Sequence, residues 1–398
     1  MKRALFIILC LIFLTTPSIP SFLNLQNNIE CVYAENDEEI SEEINNQLDN
    51  LDFSEIENML NSLDEQNKST FGEKSFLEKV YSIISGDFSQ DFDSVWQILI
   101  SLLFDSVLSF LPLIATIIAI SILGGMVGNL GSPTNNKSIS NVVHFIIYGI
   151  IVVLISTVIL RMVTITTNTI TSIKTQIDVV FPILLTCLTA LGGTASVGAY
   201  QPAIAIFSGF IIEIFTSLIL PLFLISIILN LVSNLSNSIK LNKLISFVNS
   251  LSKWIIGIIF TLFTGFITIQ GLSAGAVDGL SIKTAKFTIK NSLPVVGGYL
   301  SDGLFLILAS TNLIKNAIGG AGLFLLIAVV LSPIIELILF MLTLKLMAGV
   351  IEPLGDDKIA SFVGTLSKSM SMLIVMVACV SFMYVILTGL VMCSANIL

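Results

Sequence analysis

Two carboxylates stand where charge is expensive. Glu213 and Glu336 fall well inside the apolar runs 203–232 and 319–348, and an ionisable group at membrane depth marks a transport, coupling or assembly site by default. The alternative is a protonated or lysine-paired packing group. Glu213 precedes Pro221 by eight residues whereas Glu336 follows Pro333 by three, which argues against a symmetric ion site. Asp278, beside Gly275 and Gly279, and Asp302, in Leu300-Ser301-Asp302-Gly303, sit at span edges where they would serve equally well as helix caps.

Enzyme chemistry finds few of its residue types. His144 is the single histidine and lies in an apolar run, so no HExxH site exists. Cys10 and Cys31 fall in an N-terminal leader, and Cys187, Cys379 and Cys393 lie in or beside apolar spans, leaving no CxxC site and no disulfide framework. The intramembrane protease motifs are also missing. Ser208-Gly209 has Ile206 where GxSG needs glycine, and Leu354-Gly355-Asp356 follows Pro353 where GxGD needs one. The expectation is a protein that is not an enzyme, with no catalytic residues, metal or cofactor.

The elements that position these residues are unusual. Phe181–Ala203 is apolar enough for a bilayer yet carries Pro182, Gly192, Gly193, Gly198, Gln201 and Pro202. Breaks of this kind free backbone groups that hydrocarbon cannot satisfy, so the segment is expected inside protein or along a cavity. A similar stretch, Leu293–Gly303, carries Pro294, Gly297, Gly298 and Asp302. Together with Glu213, Pro221, Pro333 and Glu336 these are the candidate pathway or packing residues. Pro182 precedes Pro221 by 39 residues and Pro294 precedes Pro333 by 39. Beyond each second proline a shared string follows, Ile245-Ser-Phe-Val-Asn-Ser-Leu-Ser-Lys253 and Ala360-Ser-Phe-Val-Gly-Thr-Leu-Ser-Lys368, identical at six of nine positions. An internal duplication accounts for this pattern; coincidence among common membrane residues is the alternative.

Composition sets the class. The chain is 55% hydrophobic and 11% charged, against about a quarter charged in soluble domains, so it is read as an all-α polytopic membrane protein. About six transmembrane helices and two proline-led broken or re-entrant elements are expected, preceded by a signal peptide and a small acidic helical segment. Residues 35–93 hold 17 acidic residues against three lysines, a balance that excludes nucleic acid as a partner and disfavours anionic lipid for that segment. Lys2-Arg3, the apolar run to Leu14 and Val32-Tyr33-Ala34 form a signal peptide over 1–34, with an uncleaved anchor as the rival reading. The remaining divisions are an acidic exported segment over 35–93, a first transmembrane pair over 94–172 and membrane repeats over 173–284 and 285–398.

Within the acidic segment Ile40, Ile44, Leu48 and Leu51 recur at helical spacing, Ser54–Glu57 reads as a capping box opening a second helix, and Phe76–Ile84 suggests a third. A segment this small is expected to order only against a partner or the membrane, with a solvated spacer as the alternative. The Thr-rich stretch Thr164–Asp178 is expected at the surface or interface. Pro221 and Pro333 are expected to bend the long spans.

The Gly-Gly and Gln-Pro elements in 192–203, the stretch Leu293–Gly303 and the linker Ile351-Glu-Pro-Leu-Gly-Asp-Asp357, together with the leader and the acidic segment, resemble the stage III sporulation protein AE family of endospore-forming Firmicutes. The similarity spans roughly residues 95–395. It implies a multi-pass protein of the mother-cell (outer forespore) membrane, part of the channel complex connecting mother cell and forespore. Implied partners are other membrane and ring-forming proteins of that complex, including an ATPase and a forespore-side protein. A permease-like secondary transporter with its own small solute is the alternative.

Lysine counts on the two faces tie for either topology, so the positive-inside rule does not decide orientation. Weak helix formation around Gly192–Gly198 does, and it predicts six spans with the linkers at Ser246 and Ser361 on the cytosolic face. Ser246→Cys and Ser361→Cys, in a background without native cysteines, should be equally shielded from an impermeant thiol reagent added outside. Labelling of one alone would place the linkers on opposite faces.

Overall fold

The computed structural model describes residues 37–72, 74–86, 91–130, 137–235, 241–292, 297–354 and 357–395. The leader over 1–34 and Pro294 lie outside the described residues, as do the side chains of His144, Gly297, Gly298 and Asp302.

Four short helices form the acidic layer: α1 (Asp37–Asp49), α2 (Ser54–Ser62), α3 (Glu65–Phe71) and α4 (Phe76–Ile84). Ile44, Leu48, Ile56, Met59, Leu60, Phe71, Phe76 and Val80 turn inward and are buried. Each such apolar side chain contributes on the order of 1.5–3 kcal/mol on leaving water. Phe76 is the hub, with ring centroids 6.0 Å from Phe53 and 6.5 Å from Phe71.

The capping box belongs to α4, not α2. Ser75 accepts from the Glu78 N–H at 3.1 Å and Glu78 accepts from the Ser75 N–H at 2.9 Å. At α2 the N-cap is Phe53 with no side-chain cap bond. Glu57, expected to close a box there, instead accepts from the Phe76 N–H at 2.7 Å and ties α2 to α4. Asp52 takes the Ser54 N–H at 2.9 Å, and its hydrogen bonds to Ser54 hold its carboxyl below the usual range.

Six long helical stretches are apolar enough to cross a membrane among the described residues. They lie in α5 (Asp91–Leu130), α6 (Lys137–Ala190), the run beginning with α7 (Thr194–Ala205) and ending with α8 (Leu220–Leu235), α9 (Asn242–Ser292), α10 (Gly297–Leu354) and α11 (Asp357–Cys393). α6 has 54 residues, about 80 Å at 1.5 Å per residue, far more than the ~30 Å of hydrocarbon. The helix is therefore longer than the hydrocarbon layer is thick, and the acidic layer docks on the N-terminal half of α10. Lys79 Nζ lies 5.0 Å from the Phe324 ring centroid, Ile83 packs over Gly320, and Gln47 bonds both Ser310 (3.1 Å) and Thr311 (2.8 Å). The small segment thus finds its missing apolar surface on α10 of its own chain.

The Thr-rich stretch lies at the surface on one side only: Thr164, Asn168, Thr171, Thr175 and Asp178 are exposed while the opposite side faces the bundle. It continues α6, where Thr166, Thr169 and Gln176 are buried. Thr166 and Thr169 return their hydroxyls to the carbonyls of Met162 and Ile165, each at 2.8 Å, so a helix can bury them at little cost. The two proline-led elements also differ from each other. Pro182 lies inside α6, and the break comes at residues 191–193, where Gly192 adopts φ +78°. Gly193 N–H bonds Leu188 O and Gly192 N–H bonds Thr189 O, both at 2.9 Å, the Schellman closure that satisfies the last carbonyls of a helix. α6 and α7 then run as an antiparallel hairpin, with Ser208 bonded to Asp178 and Tyr148 to Leu231 O. The second element opens α10, which runs unbroken from Gly297 through Pro333 to Leu354. Ahead of Pro221 the helix widens into two π segments, Ile206–Ile211 and Phe215–Ile219. Such widening accommodates a residue that has no N–H to offer the ladder.

Gly192→Ala should destabilise the protein by about 1 kcal/mol, the cost of a Cβ at positive φ. Gly198→Ala, where a Cβ would meet nothing within 4 Å, should be neutral or slightly stabilising because alanine is the better helix former. Thermal unfolding in detergent separates the two; equal shifts would mean that the turn does not constrain residue 192.

Candidate functional site

The end of the bundle that carries the acidic layer is filled by a polar network. Asp278 is 1% exposed and accepts from the N–H groups of Ala195 (3.0 Å) and Ser196 (2.8 Å), capping α7 from α9. This supports the cap alternative for Asp278, although the helix it caps lies about 80 positions away in sequence. Tyr200 shares a 2.8 Å hydrogen bond with Ser394, and the ammonium of buried Lys315 donates to the Ser394 carbonyl. Gln176 donates to Gly322 O at 2.6 Å and to the Tyr384 hydroxyl at 2.9 Å. These bonds join α6, α7, α9, α10 and α11. A Cβ on Gly271 would sit 2.7 Å from the Tyr200 hydroxyl, so glycine is what lets α9 approach α7. The network locks the helices together.

The candidate carboxylates are not brought together. Glu213 is exposed and accepts from Ser217 one turn on. Glu336 is 16% exposed and pairs with Arg161 at 2.7 Å. Its partner is therefore an arginine of α6 rather than a lysine, and the guanidinium is committed to that pair. A signal existed in the sequence, since Arg161 is the only arginine beyond the leader. Pro182 and Gln201 share a shallow groove with Asp178 and Ser208 on the α6–α7 hairpin. Pro202, like Gln201, is exposed on α7.

The opposite end, where the links α8–α9 and α10–α11 lie, carries a polar chamber of about 590 Å³. The two shared strings meet there: Ser246, Asn249 and Lys253 of α9 face Ser361, Thr365 and Lys368 of α11, with Asn230 of α8 alongside. Among the described residues, none of those lining it is a carboxylate. Asn230 is 1% exposed; its side-chain oxygen accepts from Asn234 at 2.9 Å, while its amide N–H₂ finds no acceptor. A buried donor left unpaired costs about 1–3 kcal/mol. The match between the two strings was the signal in the sequence, but it does not disclose that they border one space.

An all-α polytopic membrane protein with a helical acidic layer docked on one end is the class these features define. The Stage III sporulation protein AE (spore_III_AE) family profile matches residues 74–395, and the chain belongs to that family. It is 27% identical over 317 residues to the Stage III sporulation protein AE of Bacillus subtilis (strain 168), covering 79% of each chain. No solved structure matches.

Arg161→Gln alone should destabilise more than Arg161→Gln with Glu336→Gln, because it strands a carboxylate in apolar surroundings. The coupling should be about 1 kcal/mol, toward the low side because Arg161 is half exposed. Glu213→Gln should leave stability unchanged. Additive effects at 161 and 336 in detergent unfolding would exclude a functioning ion pair.

Proposed function

We propose that this protein is a non-catalytic membrane component of the sporulation channel complex linking mother cell and forespore, required for forespore development. On this reading it sits in the mother-cell membrane with the acidic layer in the space between the two membranes. Its partners are membrane and ring-forming proteins of the same complex, including an ATPase on one side and a forespore-side protein on the other. Membership of a sporulation family supports the setting. The observation that carries the partner role is the acidic layer itself. Its apolar side is buried on α10, while Glu42 and Glu55 point outward and are exposed, leaving a charged face on a firmly docked platform. Such a face steers association with basic surfaces.

The polar chamber favours a second reading, a permease-like transporter with its own solute. Solute flux from the purified chain alone in liposomes would support that reading over the first. For the complex, Glu42→Lys with Glu55→Lys should leave insertion and accumulation normal, yet lower both partner capture from sporulating cells and the yield of heat-resistant spores. Normal capture and yield would remove this face from the assembly.

A further inference from the structure

The outward side of α6 changes character at Arg161. Before it, Phe145, Ile146, Ile150, Val153 and Leu160 are exposed, a face suited to acyl chains. After it, the exposed line of the same helix runs through Thr164, Asn168, Thr171, Thr175, Asp178 and Pro182. The helical run that folds back beside it extends this face with exposed Gln201, Gly209, Glu213 and Ser217. Threonine hydroxyls return to their own helix, as Thr164 does to Leu160 O at 3.0 Å and Thr175 to Thr171 O at 3.2 Å. The longer side chains do not: Asn168, Lys174 and Gln201 have no hydrogen-bond or ion-pair partner among the described residues.

This face lies at hydrocarbon depth. Asp178 accepts from Ser208, and Phe207, beside Ser208, packs on Phe263 of α9 with ring centroids 4.9 Å apart. At that height α9 turns Leu262, Phe266 and Ile269 outward. Phe263 stands nine residues beyond Trp254, about 13 Å along the helix, and the exposed indole of Trp254 suits the headgroup level. Lipid on the polar side would leave two carboxylates, a lysine and two amides against acyl chains, so that side is turned to protein instead.

The charges on the face point to its partner. α6 and the run beginning with α7 are antiparallel, so one turn back from Asp178 to Lys174 matches one turn on from Ser208 to Glu213. Lys174 and Glu213 therefore stand at one height on neighbouring helices, yet neither makes an ion pair with a described residue. Glu213 accepts only from Ser217 of its own run. A second copy in the same membrane orientation brings its polar residues to the same depths. Turned by half a revolution about the bilayer normal, with the axis over the α6–α7 groove, it lays its α7 run on α6 and its α6 on the α7 run. That sets Lys174 of each copy against Glu213 of the other. Gly198 and Gly209, where a Cβ would meet nothing within 4 Å, keep the surface low enough for close approach. We propose that the polar face of the α6–α7 hairpin is the interface between two copies of this chain, joined by two Lys174–Glu213 pairs across a two-fold axis. The inference does not depend on the sporulation complex, because it concerns only this chain in a bilayer.

Single-molecule photobleaching of the full-length protein, labelled once at its C-terminus and reconstituted in liposomes over a range of protein-to-lipid ratios, tests the assignment. Two-step bleaching should predominate as the chain is concentrated. Lys174→Glu, which opposes like charges across the axis, should weaken the dimer by about tenfold or more. Glu213→Lys should do the same, and the two reversals together should restore association. Single-step bleaching at every ratio, or a dimer indifferent to both reversals, would overturn the proposal. Should the reversals fail to accumulate, a photoreactive amino acid in place of Thr175, in the chain otherwise unaltered and in its native membrane, decides the question. It should yield an adduct of twice the chain mass, whereas the same group in place of Leu262 should yield none. An adduct of position 175 with a different membrane protein, and none with a second copy, would assign the face to that protein and refute self-association; adducts with lipid alone would refute protein cover altogether.

Discussion

Hydrocarbon offers no hydrogen bonds, so every break in the helices of this protein has to be closed by the protein itself. The break at residues 191–196 is the one on which the remaining arrangement depends. Gly192 and Gly193 take up the last carbonyls of α6, and Asp278 reaches over from α9 to take the first N–H groups of α7. One carboxylate thereby fixes where α9 lies against the hairpin. Tyr200, one turn further along α7, then meets Ser394 of α11, and Gln176 of α6 meets Tyr384. With these cross-links made, the two ends of the bundle become different kinds of place: one filled and bonded, the other left with an open polar chamber.

The acidic layer shows how charge and packing divide the labour. A strongly acidic stretch of this size has too little apolar surface for an independent core, yet its helices are ordered because α10 supplies the complement. Lys79 is the clearest case. It is buried, donates to Phe71 O at 3.3 Å and lies over the rings of Phe71 and Phe324. A cation in that position joins the layer to the bundle through aromatic faces, leaving the acidic side chains on the outside free to meet other molecules. For a protein of a sporulation family, the arrangement presents a charged surface on the outer side of a layer packed directly against α10.

The chamber is organised on the opposite logic. The residues of its two strings are polar on one face and apolar on the other: Phe362, Val363 and Leu366 are buried in the core while Ser361 and Thr365 turn to the chamber. Tyr148 packs edge-on against Phe362 at 5.3 Å and donates to Leu231 O, which anchors the floor of the chamber to α6 and α8. The walls are backed by packed side chains.

The amino-acid sequence by itself determined what depends on local composition. Long apolar runs are too expensive to expose to water and long enough to span a bilayer, so six helical spans follow without knowledge of their partners. The inward face of the acidic helices, including Ile44, Leu48, Ile56 and Phe76, is legible because helical spacing in a polar background marks the buried side. The turn at Gly192-Gly193 is legible because glycine alone adopts positive φ without strain. Only the tertiary structure decided which groups meet across long separations. Arg161 finding Glu336, Asp278 capping α7, Glu57 leaving its own helix for Phe76, and Lys253 and Lys368 sharing one chamber all depend on how helices stand beside one another. In a chain apolar on nearly every face, periodicity does not say which side meets protein and which meets lipid. The pairing is settled by sparse polar contacts, which carry no signature until the helices are in place.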